Sequence, residues 1–282
     1  MEFTSPEAEQ RYADLGGALA ATVVGLDFDG VLSPIVEDPS QAHIHPGAAS
    51  VLADLAEVVR AIAVITGRPA RQALALGDLD NLGAEMGEHG RELFVFGQYG
   101  NERWSSTQRR VISPRPPHGL ATFQRELPGL LRRADAAEAH VEEKGLAVAV
   151  HTRRLPDPAG ARERLLPAMR ELAEAHGLVV EPGRNVVEVR SSGMTKGHAV
   201  ETLVGELDAG GFLFAGDDLG DLEAFAAVEK LRAEGMPTLL VCSLSDEESA
   251  LADRADVVVD GPDGVLDLLR DLTRRATAEI SG

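Results

Sequence analysis

The sequence predicts an α/β fold: a mostly parallel sheet covered on both faces by helices, with a smaller α+β unit inserted into it. Three observations carry that expectation. Short, continuously apolar runs alternate with helical segments in the first and last thirds of the chain, as in strands buried on both faces. A middle block, opening at ISPRPPH (112 to 118), is punctuated by closely spaced prolines and follows a different order of elements. The length of 282 residues allows one large or two modest domains.

Taken in order, Val23 to Asp29 reads as a buried strand, PGAASVLADLAEVVR as an amphipathic helix and Ala61 to Ile65 as a second strand. In the middle block a helix is expected over 120 to 139, a strand in GLAVAVHTR, a helix over 159 to 176, and two strands in LVVEP and NVVEVR. Pro182 to Asn185 reads as the hairpin turn joining the last two, giving a small antiparallel sheet backed by two helices. The runs GFLFAGD, TLLVCS and ADVVVD then supply further strands, separated by helical segments at 219 to 233, 246 to 252 and 264 to 275. The expected division is a core of residues 1 to 111 and 193 to 282, interrupted by a cap at 112 to 192.

Composition narrows the function. A net charge of −19 opposes nonspecific attraction to nucleic acid or anionic membranes, so neither is an expected partner. A locally cationic pocket can still bind an anionic substrate. No apolar stretch approaches the ~18 residues of a membrane span, and the acidic start MEFTSPEAEQ lacks the basic flank of a signal peptide, so a cytoplasmic enzyme is expected. The single cysteine, Cys242, excludes an intrachain disulfide and a multi-cysteine metal site, and its apolar run marks it as a packing residue.

The chemistry-bearing residues cluster where strands are expected to end, the edge at which open parallel sheets gather their sites. Asp27 and Asp29 in GLDFDGVLSP suit a pair in which one carboxylate attacks phosphorus and its neighbour handles protons; alone, they equally suit helix or turn capping. AIAVITGRP ends in Thr66, Gly67 and Arg68, whose hydroxyl and amides fit phosphate oxygens, although a threonine there is commonly a cap. In GMTKGHAV, Lys196 stands at a helix entrance, either neutralising a phosphate or simply solvated. In AGDDLGDLEAF, Asp217, Asp218 and Asp221 repel one another unless exposed, capping or neutralised by a cation. Hard oxygen donors beside a phosphate favour Mg²⁺, with Asp217 the leading ligand and Asp218 and Asp221 acting through water or by orienting ligands.

In this order DFDG, ITGRP, TKG and GDDLGD resemble the four motifs of the haloacid dehalogenase superfamily. The resemblance implies a Rossmann-like core, with Asp27 as nucleophile, Asp29 as general acid and base, Thr66 and Lys196 on the phosphate, and Mg²⁺ held by Asp27, Asp217 and the backbone carbonyl of Asp29. Val31 departs from the threonine often found in the first motif. DFDGVLSPIVEDP, VITGRP, GEHGRELF, VEEKGLAVAVHTR and EPGRNVVEVRSSGMTKG further resemble the trehalose-6-phosphate phosphatases, with Glu88 where Asn or Ser is more familiar before His-Gly. That likeness implies substrate contacts from Arg68 and, in the cap, from Glu142, Lys144, Arg153, Arg184 and Glu188. Simple alternation places Arg153 with Ala147 and Ala149, opposite Lys144, unless the chain bulges at Gly145. His151 is set aside as a packing residue.

The implied function is Mg²⁺-dependent hydrolysis of trehalose 6-phosphate through an aspartyl-phosphate. Alternatives are a phosphatase for sucrose phosphate or a glycosyl phosphoglycerate, or a catalytically idle sugar-phosphate-binding protein. The length leaves no room for a sugar-transferring synthase as well, so any synthase activity is expected to reside elsewhere, in a separate trehalose-phosphate synthase to which functional coupling is possible.

Overall fold

The computed structural model describes residues 1–183, 185–193, 195–244 and 251–281, the last three of these by backbone alone. It divides into two compact units, Met1–Ile112 with Thr195–Gly282, and Ser113–Met194.

The larger unit begins with β1 (Glu2–Phe3), α1 (Pro6–Gly16), β2 (Thr22–Leu26), α2 (Ala48–Ala56), β3 (Ala61–Ile65), α3 (Ala70–Gly77), α4 (Leu79–Glu88), β4 (Leu93–Gly97) and β5 (Glu102–Ser105). The smaller unit holds α5 (Leu120–Arg133), β6 (His140–Glu143), β7 (Ala147–His151), α6 (Pro158–Ala175), β8 (Val179–Gly183) and β9 (Val186–Arg190). The larger unit resumes with α7 (Lys196–Leu207), β10 (Gly211–Gly216), α8 (Leu222–Ala233), β11 (Thr238–Leu244), β12 (Val257–Asp260) and α9 (Gly261–Ser281).

Its eight-stranded sheet has the order β1-β12-β11-β10-β2-β3-β4-β5. The inner strands from β12 to β4 run parallel, while β1 and β5 pair antiparallel at the edges. Alternate residues of one strand enter different cores. Val24, Leu26, Ile62, Val64, Leu213 and Val241 join one core with residues of α1, α2 and α9; Val23, Ala63, Ile65, Phe212, Phe214 and Cys242 join the other with residues of α7 and α8. Both faces being apolar, polar chemistry in this unit has no place except at the strand ends.

The smaller unit is an antiparallel sheet of order β6-β7-β9-β8. Val141, Val148, Val150, Val187 and Val189 pack on one side with Phe123, Leu127, Leu130, Leu165 and Met169 of α5 and α6. The first helix stops at Arg133 rather than 139, because Asp135 turns left-handed at φ 53° and the Ala136 amide returns to the Leu131 carbonyl. The hairpin between β8 and β9 is tighter than the sequence suggests, since Pro182 and Gly183 are part of β8 and pair with Val187 and Val186. Strand β6 has no counterpart among the expected elements.

Three other boundaries differ. The first long strand ends at Leu26, short of Asp29, and the last helix starts at Gly261 and reaches Ser281. Of the helix expected at 246 to 252, residues 246 to 250 lie outside the described set, and 251 to 254 form a turn. Among the described residues no helix is long and apolar enough to cross a membrane.

Asp256 fastens the far end of the sheet. Buried to 1% exposure, it accepts from the Leu240 amide at 2.8 Å, from Arg11 Nε at 2.8 Å and from Arg232. Asp256→Ala strands a buried amide and two guanidinium groups that retain partial access to water. The expected loss is about 3 kcal/mol in denaturant unfolding; a loss below about 1 kcal/mol would mean that water replaces the carboxylate.

Candidate active site

Asp27 stands one residue beyond β2, at the edge where all the inner strands end. Its amide still donates to the Ala215 carbonyl at 3.0 Å, but the chain then turns: the Phe28 carbonyl receives both the Leu32 and Ser33 amides, and Gly30 adopts φ +68°. Only glycine fits, since a Cβ at residue 30 would lie 2.1 Å from Asp217 Oδ2. From β11, two strands away in the sheet, Ser243 Oγ donates to the Gly30 carbonyl at 2.6 Å and fixes the turn.

Lys196 opens α7, whose N-cap Thr195 accepts from the His198 amide. Its Nζ lies 2.9 Å from Asp27 Oδ2 and 2.7 Å from Asp221 Oδ1, and all three side chains are buried. Burial opposes the ammonium, but Asp221 and Asp27 outweigh it and hold the Lys196 pKa well above the ordinary lysine value. Burial raises the Asp27 carboxyl well above the usual range, against the pull of Lys196; Asp217 is raised for the same first reason, with Asp218 and Asp27 adding to it. Cys242 beneath them is buried, its thiol pushed up to about 11 by burial and by Asp217 and Asp221. It is a packing residue.

Asp221, fully buried, organises the loop after β10: Oδ2 accepts from the amides of Asp217 at 3.0 Å and Asp218 at 3.4 Å, while Oδ1 meets Lys196. Asp218 caps the same turn by accepting from the Gly220 amide at 2.8 Å. Asp27, Asp217, Asp218 and Asp221 each offer a carboxylate oxygen, all within 4.8 Å of one another. Among the described residues one ammonium, Lys196, touches this group of four acids, three of them buried and Asp218 exposed, so the acids outnumber the cation. Hard oxygen donors of this kind fit a small divalent cation such as Mg²⁺.

The turn separates the two acids of DFDG, sending Asp27 to Lys196 and Asp29 to Arg68. Arg68 Nε and Nη2 grip the two Asp29 oxygens at 2.7 Å each, and Nη1 donates to the Pro39 carbonyl at 2.8 Å. The guanidinium also lies 5.4 Å from the centre of the Phe28 ring. Arg68, expected to contact substrate, thus has two nitrogens on Asp29 and the third on the Pro39 carbonyl, an arrangement that orients Asp29. Thr66 Oγ1 accepts from the Arg68 amide at 3.1 Å, shaping the turn as a local cap.

Two contributions were not legible. Glu102 of β5 accepts from the Ala70 amide at 2.7 Å, capping α3 from a neighbouring strand because Pro69 cannot. Gln98 and Tyr99, in the short turn after β4, bond through their amides to the carbonyls of Arg68 and Thr66 at 2.8 and 3.0 Å. GEHG, given weight in the sequence, ends α4 ahead of β4 and so lies at the opposite end of the strands from Asp27. The signal for the right turn was present: LFVFGQYG is an apolar run closed by glycine-flanked polar residues.

In the smaller unit, β6 and β7 form a hairpin with Gly145 at φ +84°, and the Lys144 amide donates to the Ala147 carbonyl at 3.0 Å. The expected conflict between Lys144 and the Ala147 face is resolved by this turn rather than by a bulge, because residues opposite each other in an antiparallel pair share a face. Registers of Glu142 with Ala149, and of Ala149 with Glu188, bring Glu142, Lys144 and Glu188 to one side. Lys144 Nζ meets Glu188 Oε2 at 2.5 Å, and Glu188 Oε1 is buried with no partner among the described residues. His151, set aside in the sequence, shares this face with its Nε2 2.9 Å from Glu142 Oε2. Arg153 lies exposed past the end of β7, where strand alternation no longer assigns it a side. Arg184 lies outside the described residues.

The family model described as trehalose-phosphatase matches residues 25–259. The chain belongs to the trehalose-phosphatase family. A trehalose-phosphate phosphatase of Mycobacterium tuberculosis is 30% identical over 96% of this chain and 66% of its own length. An uncharacterised glycosyl hydrolase of the same organism is 37% identical over 80% of this chain but only 17% of itself, so the chain spans a small part of that relative and about two thirds of the phosphatase. Among solved structures, the C-terminal domain of Candida albicans trehalose-6-phosphate phosphatase superposes with a TM-score of 0.76 at 19% identity, covering 97% of this chain and 98% of that one. This likeness establishes a shared haloacid dehalogenase-like fold.

Gly30→Ala tests how tightly the site is assembled. The new Cβ must displace Asp217 and strain φ, so unfolding stability is expected to fall by about 1–3 kcal/mol, and calorimetric Mg²⁺ binding to weaken in parallel. Unchanged Mg²⁺ affinity would dissociate Asp217 from any metal site.

Proposed function

We propose that the chain hydrolyses trehalose 6-phosphate to trehalose and inorganic phosphate. The observation that carries the reaction class is the meeting of Asp27, Asp217, Asp221 and Lys196 at one strand edge, with Lys196 Nζ 2.9 Å from Asp27. Family membership and a likeness to the mycobacterial phosphatase over 96% of this chain support the sugar.

In this reading Asp27 attacks phosphorus in line, a P–O bond forming to Asp27 as the ester P–O bond to the sugar breaks. Asp29 gives its proton to the departing sugar oxygen. It then removes a proton from water, which attacks the aspartyl-phosphate and frees phosphate and Asp27. Both Asp29 oxygens accept from Arg68, yet a carboxylate has about four acceptor positions, so the grip orients the group without exhausting it. Lys196 and Thr66 offset charge on the transferring phosphoryl group. Mg²⁺, held by Asp27, Asp217 and the Asp29 carbonyl with Asp218 and Asp221 in support, supplies further neutralisation of phosphoryl charge when bound. Sugar recognition is assigned to the polar face of the smaller unit, where Glu142, Lys144 and Glu188 offer the charged donors and acceptors that discriminate between polyhydroxylated ligands. Arg153 and Arg184 are proposed to join them, and a separate trehalose-phosphate synthase to supply the substrate.

Phosphate release from trehalose 6-phosphate, sucrose 6-phosphate and glucose 6-phosphate, each with Mg²⁺ and with chelator, tests reaction, metal and sugar together. Turnover of the trehalose ester in Mg²⁺ is expected to exceed the others by at least about tenfold and to vanish with chelator; equal rates on all three would remove the assigned substrate. Asp27→Asn is expected to abolish turnover in a folded protein, and retained activity would reject its nucleophilic role.

Arg68→Lys keeps the charge but not the bidentate fork. The expected result is a fall in kcat of about 10–100-fold with KM nearly unchanged. A rise in KM alone would return Arg68 to the substrate.

A further inference from the structure

The turn after β4 is conformationally unusual. Gln98 and Tyr99 both adopt left-handed backbone angles, φ 47° and 60°, a region that disfavours side chains with a Cβ. Gln98 is 3% exposed, and neither Nε2 nor Oε1 has a partner among the described residues. Glycine at either position would remove the backbone strain, and a smaller apolar side chain would remove the orphaned amide. Such costs persist where the resulting placement is useful.

That placement concerns the Tyr99 ring. A Cβ on Gly67, in the loop after β3, would lie 2.9 Å from both Cζ and Oη of Tyr99. A Cβ on Gly220, in the loop after β10, would lie 3.7 Å from Tyr99 Cε1. β10 and β3 flank β2 in the sheet, so the ring stands between the two loops that border Asp27. It is only partly buried.

We propose that Tyr99 contacts the leaving group and sets specificity for a sugar ester over a small one. The phosphoryl group is already served by Lys196, Thr66 and the acid cluster, deeper at the strand end. What projects outward from them is the esterified alcohol, and the first groups it meets lie on the bordering loops. A phenol has an apolar body suited to the C–H faces of a pyranose and a polar tip suited to its hydroxyls. The two glycines leave space for the ring, and the paired left-handed residues aim it there.

This inference rests on the phosphatase reading, so the wild-type enzyme is assayed first. Substrates are trehalose 6-phosphate and acetyl phosphate, which has no sugar; if trehalose 6-phosphate is not turned over, that substrate assignment fails, and the Tyr99 comparison proceeds with whichever sugar phosphate the wild type does hydrolyse. Tyr99→Gly deletes the ring while relaxing φ. The expected result is a loss in kcat/KM for the sugar ester of about 10–100-fold, mostly through KM, with acetyl phosphate changed less than about twofold. Tyr99→Phe, keeping the ring, should restore most of that loss. A thermal melt of each variant monitors folding. Equal losses on both esters would mean that Tyr99 merely supports the phosphate loops and would overturn the proposal, as would an undiminished rate on the sugar ester.

Discussion

The arrangement depends on one buried contact, Lys196 between Asp27 and Asp221. Taking charges from water into a protein interior costs several kcal/mol per ion, and attraction between them returns that only when geometry and hydrogen bonding are good. Here Asp221 is satisfied by Lys196 and by two backbone amides of its own loop. The contact therefore joins the start of α7, the end of β2 and the loop after β10 in a single network. Its balance is nevertheless incomplete, because Asp217 and Asp218 add negative charge without adding a cation. Structural ion pairs have no need of that excess, whereas a site for a divalent ion and a phosphate requires it to be rebalanced on binding.

The loops around this contact are held by directed bonds from other strands and from one another. Ser243 reaches from β11 to Gly30, Glu102 from β5 to the start of α3, and Arg68 from one loop to Asp29 and Pro39. Apolar packing would fix these segments less sharply, since it is non-directional. The two cores on either side of the sheet supply the stability, and these few bonds convert a stable sheet edge into a defined arrangement of oxygens.

Legibility in the sequence followed the same physics. Five of the six inner strands were readable because burial on both faces makes them continuous apolar runs, as in AIAVI and GFLFAG; β4, an equally apolar run, has no counterpart among the expected elements. β6 was not, because HVEE places one valine among polar residues and shows no such run. The end of β2 was misplaced because the apolar pattern passes through Phe28, whereas the strand stops where the Phe28 carbonyl is captured by Leu32 and Ser33. For the site, Asp27, Asp217 and Lys196 were legible through residue type and position at an element's end. The engagement of Arg68 with Asp29 was not, because it depends on a left-handed turn at Gly30 that sends neighbouring acids apart. Tyr99 was hidden for a related reason, since no rule of alternation forecasts two consecutive left-handed side chains.

The two units also differ in where they can place polar groups, and this divides the labour. A strand apolar on both faces offers function only its last residue and the loop beyond it, so the larger unit assembles acids, hydroxyl and ammonium from several strand ends at one edge. Few positions result, each held firmly by the strand beneath it, which suits chemistry demanding fixed distances. An antiparallel sheet covered by helices on one side leaves every second residue of each strand available on the other. The smaller unit accordingly spreads Glu142, Lys144, His151, Glu181, Glu188 and Arg190 over one face as paired polar groups, with Arg190 2.9 Å from Glu181. A substitution there alters one contact without disturbing the apolar side, whereas a substitution at a strand end of the larger unit disturbs a shared network. Under the proposed function, contacts on the smaller unit's face are therefore free to vary without altering the strand-end network of the larger unit.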